Sequence, residues 1–247
     1  MLSYLTLEKM TRRLRSLLAT ALSVSPSLAL QLKMSTGAAD IANFAVRQSP
    51  SSTRFVTNKM CPFAQKAWIA LEVTKAPYEM KEISLYGAGG KPDWFMELNP
   101  DGTVPVLECY GGAIVLPDSD LILDYIANGA VEGGIALKAP DDKTSQLVKE
   151  WRKDIAKMLP IGKEVVQGGS NKKKLFDMLK GMDNKVVGPF LCGEKVTIAD
   201  CAAFPFLWRL DNEFGLEECP NIRVWLDTCG EIDAFAKTVQ RSWWWWW

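Results

Sequence analysis

Lys59-Met60-Cys61-Pro62-Phe63-Ala64-Gln65-Lys66 is the stretch on which the reading of this chain turns. It follows a short β-like segment, Arg54-Phe55-Val56-Thr57, and runs into a helix-like one at 65–72. Pro62 suits the first position of a helix, where its missing N–H costs nothing. Cys61 then falls at the cap, where unpaired backbone N–H groups and the positive end of the helix dipole favour a thiolate. An ordinary cysteine titrates near pH ~8.5, and helix N-termini bring reactive ones to about 3.5–7.5. The dipole alone accounts for up to ~2 kcal/mol. A larger effect needs N–H···S bonds or a cation such as Lys59 close by. The plainer alternative is a buried structural cysteine at a helix start.

Position 64 is Ala, so Cys61 has no partner three residues on and a C-x-x-C dithiol cycle is closed to it. A single nucleophilic thiol must be resolved by an outside thiol, which points to glutathione. The chain contains no His. Cys–His dyads, Ser–His–Asp triads and His-containing metal sites are thereby excluded together. The six cysteines show neither zinc-like nor disulfide-scaffold spacing, so no metal is expected. Several of them read as small core residues of a reduced protein.

The 247 residues suffice for one large or two small domains. With 48% hydrophobic and 23% charged residues the composition is that of a globular protein, and a formal net charge of +0 implies no field for nucleic acid. No apolar run reaches the roughly 18 residues of a spanning helix, so stable membrane insertion is not expected. Residues 1–50 read as a presequence or extension. Within 1–39 stand Lys9, Arg12, Arg13, Arg15 and Lys33 against the single acid Glu8. The apolar stretch 16–24 follows, with Ser27-Leu28-Ala29 as a cleavage site. A plastid or other organelle presequence combines these features; a start at Met34 gives a cytoplasmic protein instead. Trp243 to Trp247 form a run that no packing pattern explains, and 241–247 is set apart as a tail.

Residues 51–128 predict an α/β unit of strands and helices around a mixed four-stranded sheet. Strands are expected at 54–57, 78–83, 103–108 and 113–116, and helices at about 62–75, 92–98 and 120–127. Asn99-Pro100-Asp101-Gly102 is a turn, Gly111-Gly112 a hairpin, and Asp118-Ser119 a helix cap. Pro105 inside a strand pattern implies an edge or a special bond. A cis Val104–Pro105 bond would turn the Val104 N–H and C=O outward to meet a ligand backbone as another strand would. Residues 129–141 read as a linker. Residues 142–240 are helical in pattern, and Thr197 with Asp200 forms a capping-box variant.

Four spaced motifs carry a resemblance. They are Cys61-Pro62-Phe63-Ala64-Gln65, Lys91-Pro92-Asp93-Trp94-Phe95, the segment 99–107 with Val104-Pro105, and Asp118-Ser119-Asp120. Together with the box at Thr197 and Asp200, they make residues 54–240 similar to the glutathione transferase superfamily, and within it to the cysteine-type members: dehydroascorbate reductases and the lambda and omega classes. The resemblance implies an α/β + all-α architecture, a thioredoxin-like domain followed by an all-helical one. It implies that Cys61 forms a mixed disulfide with glutathione, the co-substrate, and that Lys91 holds the glycyl carboxylate. Val104 would pair with the cysteinyl unit beside cis Pro105, and Asp118 and Ser119 would bind the γ-glutamyl end. The Thr197–Asp200 box is implied to be structural.

A second substrate should lie between the domains, with Phe63, Trp151 and Trp208 as candidate walls and Lys59 and Arg209 as candidate anion-attracting groups. The expected activity is that of a glutathione-dependent thiol transferase or dehydroascorbate reductase acting on dehydroascorbate or a small disulfide, as monomer or homodimer. Plant dehydroascorbate reductases carry Gly-Asp before the cysteine, where this chain has Lys59-Met60. The short loop here is closer to lambda and omega enzymes. Two non-enzymatic alternatives share the fold: a glutathione-binding carrier, and a protein like the chloride intracellular channels. The second requires a long apolar segment after the cysteine, which Lys66, Glu72 and Lys75 interrupt.

Overall fold

The computed structural model describes residues 53–85 and 90–240. The expected presequence at 1–50, the tryptophan tail and the middle of the loop expected at 85–90 lie outside the described residues. The chain opens with β1 (Arg54–Thr57), α1 (Pro62–Val73), β2 (Glu79–Glu82) and α2 (Asp93–Leu98). β3 (Val106–Cys109), β4 (Ile114–Leu116) and α3 (Ser119–Ala127) complete this half. The strands form one sheet in the order β2-β1-β3-β4, with β1 parallel to β2 and antiparallel to β3. This is the mixed four-stranded sheet that the sequence pattern implies.

Register divides the interior in two. Phe55 pairs with Leu107 and Val56 with Val106, and side chains alternate across a strand. Val56 and Val106 join Ala64, Ile83, Phe95 and Val104 in a small core on one face. Phe55 and Leu107 join the large core that continues into the helical half. β1 and β3 are therefore covered on both faces and largely buried, whereas edge strand β2 is largely exposed.

α1 is the central helix. Ala64 through Leu71 are all buried, so it has no solvent face to alternate with. Ala64, Ala67 and Ala70 keep it slim, and it packs on α3 and on a helix of the C-terminal half. That half comprises α4 (Asp142–Val166), α5 (Lys172–Asp183), α6 (Ile198–Phe214), α7 (Pro220–Gly230) and α8 (Asp233–Ala236). α6 is the helix against α1. Its capping box is formed: Ala199 N–H donates to Thr197 Oγ1, and Thr197 N–H donates to Asp200 Oδ2 at 2.8 Å. Asp200, fully buried, also accepts from Leu191 N–H and Trp225 Nε1, both at 2.9 Å. One carboxylate thus fixes the start of α6, the loop before it and α7.

Several boundaries depart from the periodic pattern for visible reasons. The strand expected over 103–108 begins only at Val106, after a Val104–Pro105 bond that is cis as anticipated. The Gly111-Gly112 hairpin is a 3-10 turn over Tyr110–Gly112, in which Tyr110 and Gly111 both have positive φ and the Tyr110 hydroxyl donates to Ala130 O. α1 stops at Val73, where the Thr74 hydroxyl donates back to Ala70 O and Lys75 turns to φ 54. α4 begins at Asp142 as the pattern implies, capped by Asp141, which accepts from Thr144 N–H at 2.7 Å.

Candidate active site

A tight turn at the end of β1 sets the position of Cys61. The Asn58 side chain accepts from Met60 N–H at 3.0 Å and donates to Ile83 O at 2.9 Å. Asn58 O accepts from Cys61 N–H at 3.0 Å. Cys61 is then the N-cap of α1 (φ −76°, ψ 118°), with Pro62 at the first helical position and Gln65 N–H donating to Cys61 O. The Cys61 thiol points towards Val104 O, 4.0 Å away. Asn58 is a site residue that the sequence pattern does not single out; its only signal is an Asn three residues before the cap.

Opposing influences act on the sulfur. Burial dominates and raises the Cys61 pKa above its ordinary value. Against it work the backbone N–H groups of Ala64 and Phe63 at the helix start, then the charges of Arg209 and Lys66. The donors expected of a helix cap are thus in place, and burial outweighs them. The acting cations also differ from expectation. Lys59 is engaged by Glu82 at 2.9 Å on the rim. Lys66, almost fully buried on α1, pairs with Asp120 at 3.0 Å, and Arg152 reaches the same carboxylate at 3.3 Å. Burial works to raise the Asp120 pKa, but Lys66 and Arg152 outweigh it and hold it below the usual carboxylate range.

The residues expected around glutathione lie on three elements. Asn99 anchors the turn after α2 by donating to Thr103 O at 2.8 Å, and Gly102 within it has φ +62°. The Lys91 side chain rests on this glycine: a Cβ there would stand 2.8 Å from Lys91 Nζ. The lysine is thereby held beside the segment leading to Val104 and Pro105, both buried. Asp118 caps α3, its Oδ1 accepting from Asp120 N–H and Leu121 N–H at 2.9 Å each. Ser119 is the first helical residue rather than part of the cap, and it is buried.

The aromatic walls separate into two kinds. Phe63 is half-buried and meets Phe206 of α6 edge-on, with ring centroids 5.2 Å apart. Trp208 is half-buried with the Arg209 guanidinium 5.6 Å from its ring centre. Trp151 is 1% exposed and belongs to the core, so it is not a wall. Arg209 is also 1% exposed, against the surface placement usual for arginine. It donates to Gln65 Oε1 at 2.6 Å, Pro205 O at 2.7 Å and Met60 O at 3.4 Å. Gln65 and Lys66 join the site from α1, and neither carries a sequence signal beyond following Cys61.

All six cysteines are unbridged, and among the described residues Cys61 alone is partly exposed. Burial pushes Cys109 and Cys192 up to about 12 and leaves them inert as nucleophiles. Among the described residues no cluster of three or more His, Cys, Asp or Glu could hold a metal, and no helix is long and apolar enough to cross a membrane.

The model of the glutathione S-transferase N-terminal domain matches residues 60–128, and that of the C-terminal domain matches residues 170–228. Glutathione S-transferase DHAR2 of Arabidopsis thaliana is 30% identical over 158 residues, covering 63% of this chain and 69% of the relative. Probable glutathione S-transferase DHAR4 of the same plant is 29% identical over 192 residues, covering 72% and 83%. Among solved structures, glutathione transferase Omega 3C from Trametes versicolor matches with a TM-score of 0.66 at 22% identity, over 82% of this chain and 95% of its own, a likeness of fold.

Proposed function

Because the chain belongs to the glutathione S-transferase family, we propose that it is a glutathione-dependent thiol transferase in which Cys61 carries the exchange. One observation carries the residue assignment. Cys61 combines partial exposure with two helix-start N–H groups and two cations that favour its thiolate. The Cys61 thiolate attacks the glutathionyl sulfur of a mixed disulfide, forming Cys61–S–S–glutathione and expelling the substrate thiolate. A second glutathione thiolate attacks the glutathionyl sulfur of that intermediate, releasing oxidised glutathione and restoring Cys61. Lys91 receives the glycyl carboxylate, the Val104 backbone pairs with the cysteinyl unit beside Pro105, and Asp118 with Ser119 receives the γ-glutamyl end. Phe63 and Trp208 flank the second substrate, with Lys59 on the rim.

Dehydroascorbate is the other substrate this site could reduce, taking two electrons from two glutathiones to give ascorbate and oxidised glutathione. Similarity to the DHAR relatives favours it. Met60, in the place before the thiol, favours small disulfides. The assay compares both substrates with wild type and Cys61→Ser. Turnover of either that vanishes in the variant supports the enzyme and names its substrate class. Glutathione binding without turnover of either would leave a carrier. We also propose that residues 1–50 direct import into an organelle, to be read from the location of a fluorescent fusion; a cytoplasmic signal would favour the start at Met34.

A further inference from the structure

The guanidinium of Arg209 lies buried directly behind the turn that carries Cys61. Its acceptors there come from both sides of the thiol: the carbonyl of Met60, one residue before, and the side chain of Gln65, one helical turn after. The third acceptor is Pro205 O on its own helix. All three acceptors are neutral groups. The orientation of the Gln65 amide is fixed by what surrounds it. Its Oε1 must accept from Arg209, and its Nε2 donates to Thr238 Oγ1 at 3.1 Å. The Thr238 hydroxyl in turn donates to Phe235 O at 2.8 Å. Gln65, Arg209 and Thr238 are each about 1% exposed or less. A chain of buried, oriented hydrogen bonds therefore links α1 to α6 and to the segment after α8.

Resting on the reading of Cys61 as the working thiol, we propose that Arg209 and Gln65 are positioning residues for it. The Gln65 amide orients the guanidinium, which holds the Met60 carbonyl and with it the Cys61 turn, and presents positive charge to the sulfur as thiolate develops. Arg209 and Cys61 favour each other's charged forms, against a burial that lowers the guanidinium to about 10. Glutamine rather than glutamate at position 65 matters here: a carboxylate would accept the same bond and also set a negative charge between the guanidinium and the Cys61 turn. The other charges packed around α1 are Lys66 with Asp120 of α3 and Arg152 of α4, Lys59 with Glu82 of β2, and Glu72 with Lys237 after α8. Of these only Lys66 acts on Cys61 beside Arg209.

The experiment follows alkylation of Cys61 by iodoacetamide against pH in the full chain, with peptide mapping, for wild type, Gln65→Glu, Arg209→Met and Arg209→Lys. Gln65→Glu keeps the side-chain volume, and the Thr238 hydroxyl can turn from Phe235 O to donate to the carboxylate. The midpoint should rise by about one pH unit, making alkylation ~tenfold slower at neutral pH. kcat should fall while KM for glutathione stays put. Arg209→Lys, which keeps the charge but loses the planar fork, should fall between. A midpoint unmoved in Gln65→Glu with an unchanged melting temperature overturns the proposal; if that variant does not fold, Arg209→Lys decides by the same criterion. Failure of the premise would look different: Cys61→Ser would keep its turnover.

Discussion

Cys61 has N–H donors and cations around it that stabilise its anion, set in apolar surroundings that destabilise it. With burial ahead, its alkylation in the absence of glutathione should rise with pH later than that of an ordinary thiol, a delay measured against a model peptide. An alkylation midpoint below the peptide's would mean that the cap outweighs burial. Asp118 offers a second residue-scale test, because cap and ligand contact can be separated. Asn caps as well as Asp, so Asp118→Asn should keep the melting temperature. Loss of the negative charge should raise KM for glutathione about tenfold, ~1.4 kcal/mol; an unchanged KM would leave Asp118 a cap alone. Cys61, Pro62 and Asp118 are legible in sequence because cap chemistry is local, running over three or four neighbouring residues. Arg209 is named there only as an anion-attracting group; its burial behind the thiol is not legible, since its partner Gln65 lies 144 residues away and nothing local marks that arginine as buried. Lys59 shows the same limit: its partner Glu82 belongs to another strand.

The start of α6 and its junction with α7 depend on one carboxylate. Asp200 accepts from Thr197, Leu191 and Trp225 within the core, joining the start of α6 to α7. Asp200→Asn puts an NH2 among donors, and should cost about 2–3 kcal/mol. That corresponds to a melting temperature lower by roughly 5–10 °C, with the KM for glutathione unaffected if the folded fraction is corrected for. A shift under a degree would show that the neighbouring packing, not the carboxylate, sets the α6 start. The box itself is readable because its residues are three apart. Its reach to Trp225 is not, being a tertiary contact. Among the strands, the pattern finds all four but overextends β3, since Thr103-Val104-Pro105 has strand composition and only the chain geometry ends its pairing. α1 is found from its start at Pro62, yet its burial on every side leaves no amphipathic period, and the C-cap at Thr74 comes from a side chain bonding backwards.

At the scale of the whole molecule, a slim α1 lies between the sheet and the helical half, so the thiol at its start is controlled from both. The buried thiols make that architecture sensitive to alkali. Their pKa values are raised by burial, those of Cys109 and Cys192 to about 12. Their contribution to stability is therefore complete below the ordinary thiol value and lost as pH rises towards about 12. Tyr78, raised by burial and by Glu72, adds the same sign. Thermal melts at pH 7.5 and about 10.5 should show the lower value at the higher pH, whereas a flat profile would contradict burial of these groups. The two-part fold was legible because four spaced motifs and a capping box mark it along the chain; how the halves meet at Gln65, Arg209 and Thr238 was not, because that junction has no local pattern. The central claim is that Cys61 takes and gives up one glutathionyl group. Intact-mass spectrometry with peptide mapping, after incubation with oxidised glutathione and again after adding reduced glutathione, tests it most directly. One glutathionyl adduct on Cys61, removed by the reduced thiol and missing in Cys61→Ser, is the expected result. No adduct, or one confined to another cysteine, would contradict it.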